Sequence, residues 1–372
     1  MAHVPMPANS LNQETRLREA AIAWLRERLP STWQVDDDAP SVDGRQVDGL
    51  IRLRAPNGTF TTVAVETKQA LTPRGAEAML TGLARQLRAL SSHVPLMVVA
   101  PWLSQRTREA LTANDINYLD LTGNALLRLD NPVVYLQTEG AARNPAPSPR
   151  PAASLRGDKA ARLVRLLADV RPPYGVGELA RAADLTPGYV SRLLDALDRE
   201  AIIDRGARGV VEQVDVAALL RAWAADYDAF KPELTTTWLA PGGAAAAAAA
   251  LAGTSTVVTG SFAAVRWAPA AAPTLLVAYA SDVRRTADSL GLLPADEGAN
   301  AILLRPFDEV ALARTVVQDD VTYAAPSQVA ADCLRGPGRM PAEGEALLAW
   351  MTDDEDRWRL PALPMPPEPE LS

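Results

Sequence analysis

Histidine occurs twice in 372 residues, at His3 and His93, and cysteine once, at Cys333. Zinc sites are built mainly from Cys and His ligands, so this chain has little from which to assemble one. A lone cysteine excludes an internal disulfide framework and fits a reducing, cytoplasmic setting. Lysine is nearly missing as well. It stands only at positions 68, 159 and 231, so 34 of the 37 basic residues are arginine. The first twenty residues, MAHVPMPANSLNQETRLREA, lack the apolar core of a signal peptide. The most apolar stretch, PGGAAAAAAALAG at 241–253, is made of small residues and predicts a helix, not a membrane span. The net charge of −8 excludes a surface coated in basic residues, but not a local basic region. Such a region exists: from 150 to 210 there are 11 Lys and Arg against 8 Asp and Glu, a local balance of +3.

What is present suggests an α/β protein of several domains. Residues 141–154, with Pro145, Pro147, Pro149 and Pro151 and no apolar period, predict an extended linker. A weaker seam falls near DAFKPELTTT, and the last dozen residues, PALPMPPEPELS, predict an unfolded tail. The expected domains are 1–140, 155–230 and 231–360, with a tail at 361–372.

In the first domain, Leu17, Ala20, Ala21, Trp24 and Leu25 recur at helical spacing. Two alternating runs, 47–54 and 60–67, flank Pro56-Asn57-Gly58, a strong hairpin signal. A helix is expected over 73–91, a buried strand in VPLMVVAPWL, a helix over 104–113, and strands in INYLDL, NALLRL and VVYLQT. Asp48 opens the first run of the hairpin, and Glu66-Thr67-Lys68 closes the second. Strand period places Glu66 and Lys68 on one face, where the partner strand can bring Asp48 alongside. A compact ammonium at position 68, in a chain that otherwise uses arginine, points to chemistry a guanidinium cannot supply. Asp120 and Asn124, in DLTGN, fit turn chemistry.

The Asp48 and Glu66-x-Lys68 pattern resembles the PD-(D/E)XK, restriction-endonuclease-like superfamily, over about 130 residues. That resemblance implies Mg²⁺ held by Asp48 and Glu66, with Lys68 orienting or helping to deprotonate a water. Asp48, Glu66 and Lys68 are thus the candidate catalytic residues, with Glu19 and Gln86 as auxiliary groups. The plainer alternative is an amphipathic hairpin carrying a solvated ion pair.

The middle segment has a first helix in DKAARLVRLLADV, with Ala160, Leu163, Val164 and Leu167 on one face. PPYG breaks it. VGELARAADL predicts a second helix, TPGYVSRLLDALDREAII a third, and DRGARGVVEQV a hairpin with glycines at its tip. This order resembles the winged helix-turn-helix of MarR- and IclR-like regulators. In such folds the third helix enters the major groove of double-stranded DNA. The resemblance places Thr186 at the helix start and Gly188, Tyr189, Ser191 and Arg192 on or near its exposed face. Arg205 and Arg208 fall in the wing. Val190, Leu193, Leu194 and Leu197 are the expected buried stripe.

In the third domain, Gly260-Ser261 resembles the opening of nucleotidyltransferase-like domains. The following strand, PTLLVAYAS, has no acid pair, and Asp282 comes only at its end. The segment YAAPSQVAADCLRGPGRMPAEGEALLAWM resembles part of the abortive-infection type IV (AbiEi) antitoxins, and Cys333 within it is expected in the core. The combined expectation is a cytoplasmic transcriptional regulator or antitoxin-like repressor, with a toxin or a second copy of the chain as partner. The alternative is a Mg²⁺-dependent DNA endonuclease targeted by its own winged helix.

Overall fold

The computed structural model describes residues 8–38, 41–42, 45–46, 48–79, 94–142, 144–145 and 154–363. Gln86, most of the 141–154 linker and the end of the tail lie outside them. The protein is mixed α/β and divides into two compact units. One comprises residues 1–151 with 199–201, the other 152–198 with 202–372. No helix among the described residues is long and apolar enough to cross a membrane.

The first unit opens with α1 (Ala8–Arg28), whose Leu17, Ala21 and Leu25 are buried at four-residue spacing. Arg26 closes the helix by donating from Nε and Nη2 to the Val35 carbonyl, at 3.1 and 2.7 Å. That carbonyl belongs to β1 (Gln34–Asp38), an acidic strand the sequence reading did not include. The strands β2 (Gly49–Arg54) and β3 (Phe60–Thr67) form the expected hairpin. Gly58 takes φ +86° at its tip, and Asn57 Oδ1 accepts from the Thr59 amide. Next come β4 (Leu96–Ala100), α2 (Gln105–Ala113), β5 (Asn117–Asp120), β6 (Ala125–Asp130) and β7 (Val133–Thr138). These strands form one sheet in sequence order β1 to β7, with β3, β4 and β5 parallel and the other neighbours antiparallel. Strand alternation sends Val63 and Val65 to the α1 face and Ala64 to the opposite one, so both faces of β3 are covered. The expected 73–91 helix is helical over 73–79, where the description stops.

The second unit begins with α3 (Asp158–Asp169), α4 (Val176–Ala183), α5 (Pro187–Arg199), the short strands β8 (Ile203–Arg205) and β9 (Val211–Val214), and α6 (Val216–Asp226). A mixed sheet follows: β10 (Thr235–Leu239), β11 (Val257–Thr259), β12 (Leu276–Tyr279), β13 (Leu293–Pro294), β14 (Ala301–Leu304), β15 (Val316–Gln318) and β16 (Val321–Tyr323). Its order is β13-β10-β14-β12-β11-β16-β15. The helices α7 (Pro326–Arg335) and α8 (Met340–Asp353) pack with it. Residues on both sides of the expected seam at 230/231 belong to one buried cluster, which runs from Leu163 and Trp223 to Tyr279 and Leu347. Cys333 lies in that cluster, where burial pushes its thiol well above the ordinary value.

Candidate nucleic-acid interface and candidate metal site

The α3–α4–α5 arrangement is fixed locally. The Glu178 carboxylate accepts the Gly175 amide at 2.7 Å, which closes the start of α4. At its end Asp184 takes φ 53°, a left-handed cap that Asp tolerates, and Leu185 donates back to the Ala180 carbonyl at 2.9 Å. This turn redirects the chain in three residues. The Thr186 carbonyl then accepts the amides of Tyr189 and Val190 at 3.0 and 3.1 Å, and Pro187 supplies a preset φ at the first helical position.

The buried side of α5 is Val190, Leu193, Leu194 and Leu197, the stripe the sequence predicts. Thr186, Gly188 and Arg192 are exposed, while Tyr189 and Ser191 are half-buried. The ring of Tyr189 rests against the core, and that burial raises its hydroxyl above the ordinary value. The wing is a two-stranded ladder with a bulge at Asp204/Arg205. Tyr174, between α3 and α4, exchanges backbone hydrogen bonds with Val211 and so fastens the wing to the helices.

The two wing arginines differ. Arg208 stands exposed at the tip, with φ 62°. Arg205 turns inward: its guanidinium donates to Asp195 on α5 at 2.5 Å and to the Gly209 carbonyl at 3.2 Å. Its charge therefore braces the wing against α5. The decisive comparison concerns this segment. Residues 158–205 match the IclR helix-turn-helix domain. The match runs from the first residue of α3 to the end of β8, and it supports a DNA-binding transcription regulator. Beyond the matched segment β8 pairs antiparallel with β9, and α6 follows. No curated protein and no solved structure matches the chain.

In the first unit Asp48 immediately precedes β2, and Glu66 lies near the end of β3. Gly49 pairs with Val65, so the antiparallel register sets Asp48 opposite Glu66. One oxygen of Asp48 accepts from the Thr67 amide and hydroxyl at 2.8 and 3.0 Å. Lys68 donates its Nζ to Oε1 of Glu66, and its own amide joins β4 through the Val99 carbonyl. The structure thus brings all three residues to one end of the hairpin. Among the described residues no group of three or more His, Cys, Asp or Glu side chains could hold a metal ion. Glu19 is exposed on α1, and Gln86 lies outside the described residues. The α1 residue that meets this end is Arg18, which donates to the Asp48 carbonyl at 3.0 Å and pairs with Asp37 at 3.2 Å. Sequence reasoning missed Arg18 because one partner is a backbone carbonyl and the other, Asp37, lies in a strand that carries no hydrophobic period.

Asp120 and Asn124 are buried turn residues. Asp120 accepts from the amides of Thr122, Asn124 and Leu103 at 2.9, 3.1 and 3.0 Å. Asp282 caps a short helix by accepting the Arg285 amide, and Ser261 donates to buried Glu343. Neither arrangement provides an acid pair on β12.

Two buried polar clusters in the second unit were not foreseen. In the first, Arg165 and Asp169, four residues apart on α3, pair at 3.1 Å with both side chains almost wholly buried. Asp169 also accepts from Arg314 and Ser327. In the second, Asp332 accepts from Thr259, Tyr279, Tyr227 and Gln328. Gln328 joins the two, because its Oε1 accepts from Arg165 at 2.7 Å while its Nε2 donates to Asp332 at 2.9 Å.

Proposed function

We propose that the chain is a transcriptional regulator that reads double-stranded DNA through α5, with the wing on the adjoining backbone. The observation that carries this reading is the split between the two sides of α5. A continuous apolar stripe is buried while Thr186, Gly188 and Arg192 face outward, at the end of the helix that enters the major groove in this type of module. A helix N-terminus also favours phosphate. The narrower form of this reading is a repressor that holds a cognate toxin or pairs with a second copy of itself. It rests on the likeness of 323–351 to type IV antitoxins.

The test is binding of the full chain to selected duplexes, since residues 155–230 share their core with the sheet beyond. Arg192→Ala is expected to cost about 1–3 kcal/mol on the best sequence and to relax preference at one base position. Arg208→Ala should weaken all sequences alike and reduce the salt slope by about 1. Absence of duplex binding by the full chain at low salt would sink the reading.

A second reading is a metal-dependent DNA endonuclease, favoured by the placement of Asp48 opposite Glu66 with Lys68 on the latter's carboxylate. Each carboxylate has a second oxygen outside the hydrogen bonds just described, and together these offer hard donors of the kind Mg²⁺ takes. Bound Mg²⁺ would supply an acidified water and a counter-charge for phosphate. Lys68 would hold Glu66 in place and keep an ammonium near that water. Calorimetric titration with Mg²⁺ or Mn²⁺ should show binding that Asp48→Asn weakens, and plasmid nicking that requires the metal. No metal-dependent cleavage of duplex or single-stranded DNA would leave this end of the hairpin a structural feature.

A further inference from the structure

Four strands end the two seven-stranded sheets, and three of them are protected against further pairing. At one end of the first sheet, β1 carries Asp36, Asp37 and Asp38 within five residues. In the second sheet, β13 has two residues, one of them Pro294, and β15 has three. Charge, proline and short length each keep an edge from accepting a foreign strand.

The fourth, β7, has none of these. Its six residues, Val133–Thr138, read VVYLQT, without a charge or a proline. Its pairing with β6 runs unbroken from Val133 to Thr138, so no bulge turns the edge away. Val133 is 82% exposed and Tyr135 65%. Both lie on one face, because alternate residues of a strand share a face. On an outermost strand, antiparallel pairing leaves every second N–H and C=O pointing outward. Outward backbone groups beside exposed apolar side chains make a pairing edge.

The chemistry of β7 favours its own copy. A charged partner strand finds no opposite charge on it, whereas a second copy of the chain brings the same neutral strand. A two-fold axis perpendicular to the sheet sets the two strands antiparallel, with Val133, Tyr135 and Gln137 of both copies on one side. The two Tyr135 rings then stand opposite each other or at the next diagonal position. The joined sheet ends in acidic β1 on both sides, so growth stops at two chains. We propose that β7 is a dimerisation edge, through which two copies of the chain join their first-unit sheets antiparallel. This gives a surface to the second-copy form of the reading above, and it is measured without DNA so that either can fail alone. A strand of six residues spans about 20 Å. An interface of that length lies below about 1,200 Å² in total, the range of weak and reversible association.

The experiment is sedimentation velocity of the full chain from about 1 to 300 µM, which brackets the affinity of so small an interface. The wild type is expected to pass from monomer to dimer with a dissociation constant of about 10–100 µM. Tyr135→Lys and Tyr135→Glu each set like charges beside each other across the axis, and each should weaken self-association by about tenfold or more. An equimolar mixture of the two variants should dimerise again, because the charges that meet are then opposite. A merely misfolded variant would not recover in this way, and unchanged urea midpoints check folding directly. The proposal is overturned if the wild type stays monomeric over the whole range or assembles beyond two chains. It is equally overturned if the folded variants dimerise like the wild type, or if their mixture does not recover.

Discussion

Asp169→Ala is expected to destabilise the folded chain by about 3–5 kcal/mol, the usual cost of leaving one member of a buried ion pair without its partner. Arg165 is wholly buried, and burial, opposed by Asp169, already depresses its guanidinium below the ordinary value. Burial alone would raise the Asp169 carboxyl. Arg165, Arg314 and the Ser327 hydroxyl outweigh that effect and hold it below its usual value. Removing the carboxylate leaves two guanidinium groups, those of Arg165 and Arg314, facing each other across the space it filled. Arg165 keeps acceptors for Nη1 and Nη2 in the carbonyls of Val310 and Ala313 and in Gln328, at 2.9, 2.9 and 2.7 Å, while its Nε and its charge lose their partner. The double change Arg165→Met, Asp169→Leu should therefore cost much less than the two single changes summed, because apolar side chains need neither partner. Urea unfolding of the full chain measures both. A loss below about 1 kcal/mol for Asp169→Ala would mean that water reaches the pair.

That pair was illegible in the sequence for a definite reason. Arg165 and Asp169 stand four residues apart on a helix, the spacing of an ordinary surface ion pair. Their burial comes from partners such as Gln328, 163 positions further along, which no local period announces. The opposite holds for the β2–β3 hairpin and the three helices that follow Gly157. Asn57-Gly58, the apolar stripe of α5 and the Thr186-Pro187 start are local signals, and each appears in the structure where the residues place it. Strand β1 shows where such signals fail. Its sequence, QVDDD, buries only Val35, and it adds to the sheet at an edge. Edge strands tolerate charge. Here Asp38 pairs with Arg52 and Asp37 with Arg18, so two of the acids are paired while still in contact with solvent. Arg205 teaches the same lesson in the wing. Its sequence position fits a phosphate contact, but Asp195, ten residues earlier, turns it inward. Opposite charges that meet across a turn alter what a surface offers, and spacing alone does not show it.

Asp332 should make the protein's stability fall as pH rises from about 4 to about 6.5, the reverse of the trend from most carboxylates. Its side chain is completely buried and meets no cation among its hydrogen-bond partners; it is held by hydroxyls and one amide. Burial raises its pKa, the donors Thr259, Gln328, Tyr279 and Tyr227 lower it, and burial wins, pushing it from 3.8 up to about 6. A raised acid binds its proton more tightly in the folded chain than in the unfolded one. Its stabilising contribution is therefore complete below the unfolded value near 3.8 and is lost as pH passes through about 6. A shift of this size corresponds to about 3 kcal/mol. Asp169, whose carboxyl is depressed, acts in a separate window: its contribution is present above the unfolded value and disappears only as pH falls below it. The difference in unfolding free energy between wild type and Asp332→Asn isolates the effect, since the variant keeps every other titrating group. That difference should decline by about 2.4 kcal/mol between pH 4 and pH 7, most of the full shift. A difference that stays level across the range would show that Asp332 ionises in the folded protein as it does in water.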